Sequence, residues 1–322
     1  MKYIYEEAEE REVDLMISTL DNMISKKFEN YKKKDKIIDL HSHSVFSDGE
    51  LTPIELLNLA IDNGVSTFAI TDHDNIDAVK MVRNNYSDFL NKSGLFFING
   101  IELSVKVNHG RMHMLGYNID INNKELNDKL VELKNNSIYS MISYFNDLRR
   151  NEGISFSTED ILKVLNKKGN IGRPEIAKLM IKYGYVKTVQ EAFDKYLTEM
   201  YGRVRKLNKG INYEEAISLI KNAKGYAILA HPYSLELNDI ELLKMVKKLI
   251  SCGLDGIEVY HSNHSKEQMD AYLKIAYENN LLYSGGSDFH GINVKPDIEL
   301  GYGKNNNLNI KKLSLVSKIK NE

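Results

Sequence analysis

Short apolar runs recur along this chain and predict strands: Ile37-Ile38, Val65-Ser66-Thr67-Phe68-Ala69-Ile70, Leu95-Phe96-Phe97-Ile98 leading to Gly100-Ile101-Glu102-Leu103-Ser104, and Arg111-Met112-His113-Met114-Leu115-Gly116. Three more follow far downstream: Ala227-Ile228-Leu229-Ala230, Gly256-Ile257-Glu258-Val259-Tyr260 and Leu281-Leu282-Tyr283-Ser284-Gly285-Gly286. Stretches with three- and four-residue apolar spacing alternate with them and predict helices. Thr52-Pro53-Ile54-Glu55 reads as a capping box with proline at the first helical position, and that helix stops at Gly64. Helices are also predicted at about 239–251 and 265–279, the second capped by Ser265 with Gln268. Strand, helix, strand is the order of a parallel α/β fold, in which sites collect at the carboxyl ends of the strands.

Two stretches break this order. Residues 6 to about 33 carry one apolar stripe, Val13, Met16, Ile17, Leu20, Ile24, Phe28 and Tyr31, and predict a helix packed on the main body. The region 121–212 holds no convincing strand and at least four helical segments. Leu130, Leu133, Ile138, Met141, Ile142, Phe145 and Leu148 mark a long helix, Thr158 caps a second, Gly172-Arg173-Pro174-Glu175 opens a third that closes at Gly184, and Thr188 caps a fourth. The expected organisation is an N-terminal helical extension (1–35), an α/β body (36–120 and 213–322) and an inserted helical subdomain (121–212). A last helix is expected at 309–320.

Composition narrows the partners. In 322 residues, 42% are apolar and 27% charged, the balance of a globular protein, and the net charge of −2 gives no drive toward long nucleic acid or an anionic membrane. One cysteine, Cys252, excludes a disulfide framework and a thiolate metal cage. No apolar run reaches membrane-spanning length, and the N-terminus turns acidic at once without a secretory apolar region. These features predict a cytoplasmic soluble protein.

The chemistry sits at the strand ends. His41 and His43 follow the first strand with one residue between them, so on extended backbone both imidazoles face one side. Seven of the nine histidines stand at or beside polar strand ends, which scattered core histidines would not do. The candidate ligands are His41, His43, Asp48, His73, Glu102, His113, His231, Asp288 and His290. Nine nitrogen and oxygen donors exceed what one metal uses, so a polynuclear site is expected. His109 and His264 read as surface loop residues.

The ordered motifs His41-x-His43 with Ser47-Asp48-Gly49, Thr71-Asp72-His73-Asp74, Gly100-Ile101-Glu102, His113-x-Leu115-Gly116, His231-Pro232 and Ser287-Asp288-x-His290 resemble those of the polymerase-and-histidinol-phosphatase (PHP) family of metal-dependent phosphoesterases. The resemblance covers about 37–119 and 225–292. It implies a distorted (β/α)7 barrel with two to three divalent ions, Mn, Fe or Zn, at the strand ends. His41, His43, Glu102 and Asp288 would hold the first ion. Glu102 would bridge to a second, completed by His113 and His231, and Asp48, His73 and His290 would hold the third. Such a site implies hydrolysis by a metal-activated hydroxide, with Asp48 and His73 among the catalytic groups.

Motifs on both sides of a helical insertion resemble the bacterial branch acting on nucleotides. That implies a nucleoside bisphosphate or mononucleotide substrate, with three alternatives. These are a 5′-to-3′ exonuclease on short 5′-phosphorylated RNA, a histidinol-phosphate or sugar-phosphate phosphatase, and a non-catalytic module stabilised by its metals. Arg173 matches that branch's phosphate anchor, at a helix start where an anion is favoured. His261 is similar to a substrate-phosphate histidine, which would bind phosphate or protonate the leaving group; the alternative is a structural hydrogen bond. The basic segment Tyr201-Gly202-Arg203-Val204-Arg205-Lys206 departs from the family pattern and either contacts phosphate or is solvated charge. Glu175, where that branch usually has histidine or another polar residue, leaves substrate identity open.

Overall fold

Seven strands, β1 (Ile37–Asp39), β2 (Val65–Ile70), β3 (Phe96–Val105), β4 (Met112–Tyr117), β5 (Tyr226–Leu229), β6 (Gly256–His261) and β7 (Leu282–Gly286), lie side by side in chain order in the computed structural model. It describes residues 19, 23, 25–34, 36–107, 109–167, 171–204 and 210–322. Leu40 N donates to Gly285 O (3.2 Å) and Asp288 N to His41 O (2.8 Å), so the first and last strands meet and the sheet nearly closes. The result is a distorted (β/α)7 barrel. Most neighbours run parallel, but β4 is antiparallel to both β3 and β5. β3 manages the change within one strand: Phe96–Asn99 pairs with β2, and Gly100–Val105 pairs with β4. The two pieces read separately from the sequence, 95–98 and 100–104, are therefore one strand.

Alternation along the strands sorts side chains between two layers. Ile37, Phe68 and Ile70 pack outward with Leu56, Leu57 and Ala60 of the helix Pro53–Asp62, while Ile38, Ala69 and Ile98 face the barrel interior. Inside, Tyr117 hydrogen-bonds through its hydroxyl to Leu40 O (2.9 Å). Leu308, Ile310, Leu313 and Leu315 join the same interior cluster. The helix Pro53–Asp62 begins where Glu55 Oε2 accepts from Thr52 N (2.8 Å), as the capping pattern predicts. Ser265 and Gln268 cap Lys266–Glu278 in the same way. Two sequence expectations shift. Ser157, not Thr158, caps the helix Thr158–Leu165, its Oγ accepting from Asp160 N (3.1 Å). The last helix is Ser314–Lys320, because the preceding backbone is spent on β1, with Ile38 N donating to Ile310 O (2.8 Å).

The helix Lys124–Asn151 spans two cores. Leu126, Leu130 and Leu133 pack with the barrel-side cluster, whereas Met141, Tyr144, Phe145 and Leu148 belong to a separate one with Ile176, Met180, Leu197 and Met200. That second cluster is completed by Arg173–Lys182 and by Val189–Ala192, which runs through a π-helical turn into Thr198–Val204. Of the N-terminal stripe, Val13, Met16, Ile17, Leu20 and Ile24 lie outside the described residues. Residues 25–32 are helical, and Phe28 and Tyr31 pack on Ile61. No helix among the described residues is long and apolar enough to cross a membrane.

Candidate metal centre

Two buried aspartates build the frame. Asp39 accepts from His41 N (3.2 Å), Ser287 N (2.9 Å), Ser287 Oγ (2.6 Å) and Gly301 N (2.7 Å), which ties the His41 segment to the turn bearing Asp288. Asp72 accepts from Ser44 N (2.7 Å), Ser44 Oγ (2.6 Å) and Ser47 Oγ (2.5 Å), which holds the chain between His43 and Asp48. Gly286 lets β7 end against this segment: a Cβ there would stand 2.2 Å from His41 N. The three positions Asp74 (φ 46°), His231 (φ 22°) and Asp288 (φ 56°) are in the left-handed region.

Glu102 is the hub. Its Oε2 lies 3.2 Å from His41 Nε2, His43 Nε2 and His73 Nδ1, and its Oε1 lies 2.8 Å from His113 Nδ1 and 2.9 Å from His231 Nε2. His113 opens β4 rather than closing it, but the reversal of that strand brings its start to the rim where β2 and β5 end. Asp288 Oδ1 is 3.2 Å from His43 Nε2, 3.5 Å from His290 Nδ1 and 3.6 Å from His41 Nε2. Asp48 Oδ1 is 3.3 Å from His290 Nε2 and 3.6 Å from His43 Nδ1, and its Oδ2 is 3.8 Å from His73 Nε2. All nine predicted ligands are thus gathered at one end of the barrel. Their donor atoms group as Asp48, His43, His73 and His290; as His41, His43 and Asp288; and as Glu102 with His73 and His113 or with His41 and His231, each within 4.8 Å.

The donor chemistry fits divalent metal ions. His43 Nε2 is buried and makes no hydrogen bond among the described residues, although two carboxylate oxygens stand 3.2 Å away. Nitrogen and oxygen lone pairs facing one another in this way leave room for a shared cation, and imidazole with carboxylate suits Mn, Fe or Zn. The charges confirm how strongly the carboxylates dominate. Burial alone would lower His41, but Glu258, Glu102 and Asp288 hold it well above the ordinary histidine value. His43, similarly buried, is pushed up to about 9 by Asp288, Glu102 and Asp48. Glu102 and Asp288, against their own burial, and the half-exposed Asp48 are held well below the carboxylate range, chiefly by His73 for Glu102 and Asp48 and by Lys295 for Asp288. His73 goes the other way, down to about 3, because burial outweighs Glu102 and Asp48.

Other predicted residues lie outside this cluster. His261 has no exposed surface; its Nδ1 accepts from Asn263 N (3.1 Å), which leaves the ring proton on Nε2, facing Asp288 Oδ2 at 3.3 Å. It therefore meets the site through Asp288, and contact with a leaving group requires the ring to move. Arg173 opens the helix Arg173–Lys182, its guanidinium 4.2 Å from the Tyr201 ring and 5.3 Å from the Phe193 ring. Arg203 is not left as solvated charge, since Asp147 (2.6 Å), Glu152 (2.9 Å) and Glu199 (3.0 Å) engage it. Arg205 and Lys206 lie outside the described residues. His109 is exposed as expected, but His264 is not a surface residue: it is buried beside Tyr233, His261 and Tyr272, its Nδ1 hydrogen-bonded to Val259 O (2.8 Å).

Sequence reasoning missed Glu258. Wholly buried in β6, it binds His41 Nδ1 through Oε1 (2.8 Å) and accepts from the backbone His231 N through Oε2 (2.8 Å), and the imidazoles of His41, His261 and His231 hold it at about 2 against the burial that would raise it. A lone acid inside the apolar run Gly256-Ile257-Glu258-Val259-Tyr260 was the available signal. It missed Lys295 as well, whose Nζ is 2.6 Å from Asp288 Oδ2. A cleft of about 330 Å³ opens over the cluster, with Arg111, Tyr233, Asn263 and Lys295 on its walls.

Comparison with known proteins agrees with this geometry. A family model for the PHP domain matches residues 39–272. The 5′-3′ exoribonuclease Rnm of Salmonella typhimurium is 31% identical over 268 residues, covering 82% of this chain and 88% of the relative. The 3′,5′-nucleoside bisphosphate phosphatase of Chromobacterium violaceum is 29% identical over 254 residues, covering 79% and 87%. Among solved structures, one from Bifidobacterium adolescentis assigned to the metal-dependent phosphoesterases superposes with a TM-score of 0.69 at 26% identity, over 89% of this chain and 96% of that one. An amidohydrolase from Chromobacterium violaceum with bound sulfate gives 0.67 at 26% identity, over 81% and 89%. The chain belongs to the PHP domain family and is a metal-dependent phosphoesterase.

Proposed function

We propose that this phosphoesterase removes phosphate from a nucleotide-type monoester, a nucleoside bisphosphate or a mononucleotide. The observation that carries the reading is the convergence of five imidazoles on Glu102 beneath an open cleft with cationic walls. His41, His43, Glu102 and Asp288 would hold one ion, Glu102, His113 and His231 a second, and Asp48, His73 and His290 a third, as Mn, Fe or Zn. Bound there, such ions would supply positive charge against the phosphate oxygens and acidify water for attack. The chain's own groups do the rest. Glu258 fixes the ring of His41, and Asp39 and Asp72 fix the two ligand segments. Lys295 adds a cation beside Asp288 on the cleft wall, where a phosphate enters.

The names of the relatives support a nucleotide substrate and leave two forms of it: bisphosphate for one, and RNA taken from the 5′ end for another. A net charge of −2 disfavours long nucleic acid, since tight backbone binding needs many Lys and Arg contacts. Short 5′-phosphorylated RNA is the second reading. Elemental analysis with a phosphate-release screen tests both, using adenosine 3′,5′-bisphosphate, a mononucleotide, 5′-phosphorylated oligoadenylate and sugar phosphates. Preference for histidinol phosphate or a sugar phosphate would overturn the nucleotide assignment.

A further inference from the structure

Lys295 is carried by a loop folded back on the chain just past Asp48. Lys295 N donates to Gly291 O (2.9 Å) and Ile298 N donates to Lys295 O (3.2 Å), so both polar groups of its backbone are bonded. Gly291 has φ 106°, and a Cβ there would stand 2.4 Å from Glu50 Cβ, so the loop lies tightly on Glu50. The Glu50 carboxylate accepts from Asn293 N (3.1 Å) and from Asn293 Nδ2, while Glu50 N donates to His290 O (2.7 Å). Lys295 is thus presented at a fixed place on the cleft wall.

The ammonium meets Asp288 on the side away from the other candidate ligands. Asp288 Oδ1 faces His43, His41 and His290, whereas Oδ2 is shared by His261 Nε2 (3.3 Å) and Lys295 Nζ (2.6 Å). His261 has no exposed surface, but the Lys295 side chain is 30% exposed. A partner that supports a metal ligand raises its basicity, as Glu258 does for His41. A cation beside a ligand carboxylate does the reverse, and His261 already orients this oxygen, so holding metal gives no reason for Lys295. An ammonium has three N–H groups. Two face Asp288, whose backbone oxygen lies 3.4 Å from Nζ, and the third is left for the cleft. Of the two cations on the cleft walls, Arg111 and Lys295, Lys295 is the one hydrogen-bonded to a candidate ligand side chain. A phosphate seated over the ligands turns its ester oxygen toward the open side, where its organic group has room, and Lys295 stands there.

We infer that Lys295 is a catalytic residue that donates a hydrogen bond to the leaving oxygen of the substrate, a place that buried His261 does not reach. This rests on the reading that a phosphate monoester is hydrolysed in the cleft, and it holds whichever alcohol is esterified. In that step the oxygen of a water bonds to phosphorus, the bond from phosphorus to the ester oxygen breaks, and its electron pair stays on the ester oxygen. One proton of that water ends on this oxygen, so the products are the alcohol and inorganic phosphate. The Lys295 charge acts as negative charge builds on the leaving oxygen, where a preorganised donor has its largest effect.

Steady-state kinetics on metal-loaded protein tests this with two esters of similar size. Benzyl phosphate leaves as a basic alkoxide that needs a donor; p-nitrophenyl phosphate leaves as a phenolate that does not. Lys295→Met keeps the length of the side chain without its charge. It should cut the ratio of kcat/KM, benzyl over p-nitrophenyl, by about 100-fold, the scale for one lost donor to developing charge. Lys295→Arg should restore part of that ratio, and elemental analysis of Lys295→Met should match the metal content of wild type. An unchanged ratio, from equal losses on both esters or from none, overturns the role, as does loss of metal from Lys295→Met. If wild type cleaves only diesters, the monoester reading fails, and the same ratio on methyl benzyl phosphate and methyl p-nitrophenyl phosphate decides the role. If the ratio falls while no nucleotide is hydrolysed, the role stands and the nucleotide assignment fails.

Discussion

Glu258 Oε1 lies 2.8 Å from His41 Nδ1 with both side chains closed to solvent, while the other oxygen of the same carboxylate holds His231 N at 2.8 Å. One acid therefore sets the ring of one ligand and the backbone of another. Partners of this kind fix the tautomer and raise ligand basicity. Glu258→Gln should lower metal affinity by about 10–100-fold, read by titrating metal into chelator-treated protein. Wild-type affinity in that variant would remove Glu258 from the design of the centre.

Asp48 is half-exposed and faces His43, His73 and His290. Replacing it by alanine leaves no buried gap, so the fold should persist with unchanged far-ultraviolet circular dichroism. Phosphate release should fall by about 100-fold or more, the scale for losing one preorganised group of a catalytic site. Chelation should abolish release in wild type and lower its melting temperature by several degrees, since ligands of the native state stabilise it. If Asp48→Ala changed thermal stability and left phosphate release intact, the catalytic role given to this residue would be lost.

Tyr31 joins the first helix to the barrel, donating its hydroxyl to Val65 O at 2.8 Å. Tyr31→Phe should cost about 1–2 kcal/mol by leaving that carbonyl without its partner. Burial pushes the hydroxyl up to about 12 from 10.0, so the folded state keeps the proton longer than the unfolded chain does. The stability difference between wild type and Tyr31→Phe should therefore be complete below pH 10 and fade as pH rises toward about 12. Denaturant unfolding at several pH values reads it; a difference that grows with pH would contradict the assignment.

Arg203 ties Asp147 and Glu152 to the helix that also carries Glu199. With three carboxylates around one half-exposed guanidinium, Arg203→Ala should destabilise the packing of Thr198–Val204 on Lys124–Asn151 by about 1 kcal/mol and leave KM for any nucleotide where it was. A raised KM would return this residue to the substrate.

The candidate metal cluster was legible because His41, His43, His73, His231, Asp288 and His290 follow apolar runs, and such a boundary shows in one dimension. Glu102 lies inside a run, as Glu258 does, and only the motif resemblance separated the two. Both faces of β6 are covered, so alternation there does not separate core from solvent. Arg111 and Lys295 are on turns that carry no periodicity. His264 looked solvent-facing beside a capping box, but Tyr233 and Tyr272 close over it. The reversal of β4 left no trace, because an apolar run reads the same in either direction. The nine candidate ligands still come together in space, because the reversal carries the start of β4, with His113, to the rim where β2 and β5 end.

The left-handed backbone at Asp74, His231 and Asp288 has a consequence for how this chain tolerates change. A side-chain-bearing residue in that region costs about 1–3 kcal/mol, so the rim around the centre opposes the rest of the barrel. Replacements that relax these turns would gain stability where the turn presents a ligand, so at this rim a gain in heat resistance comes at a cost in activity.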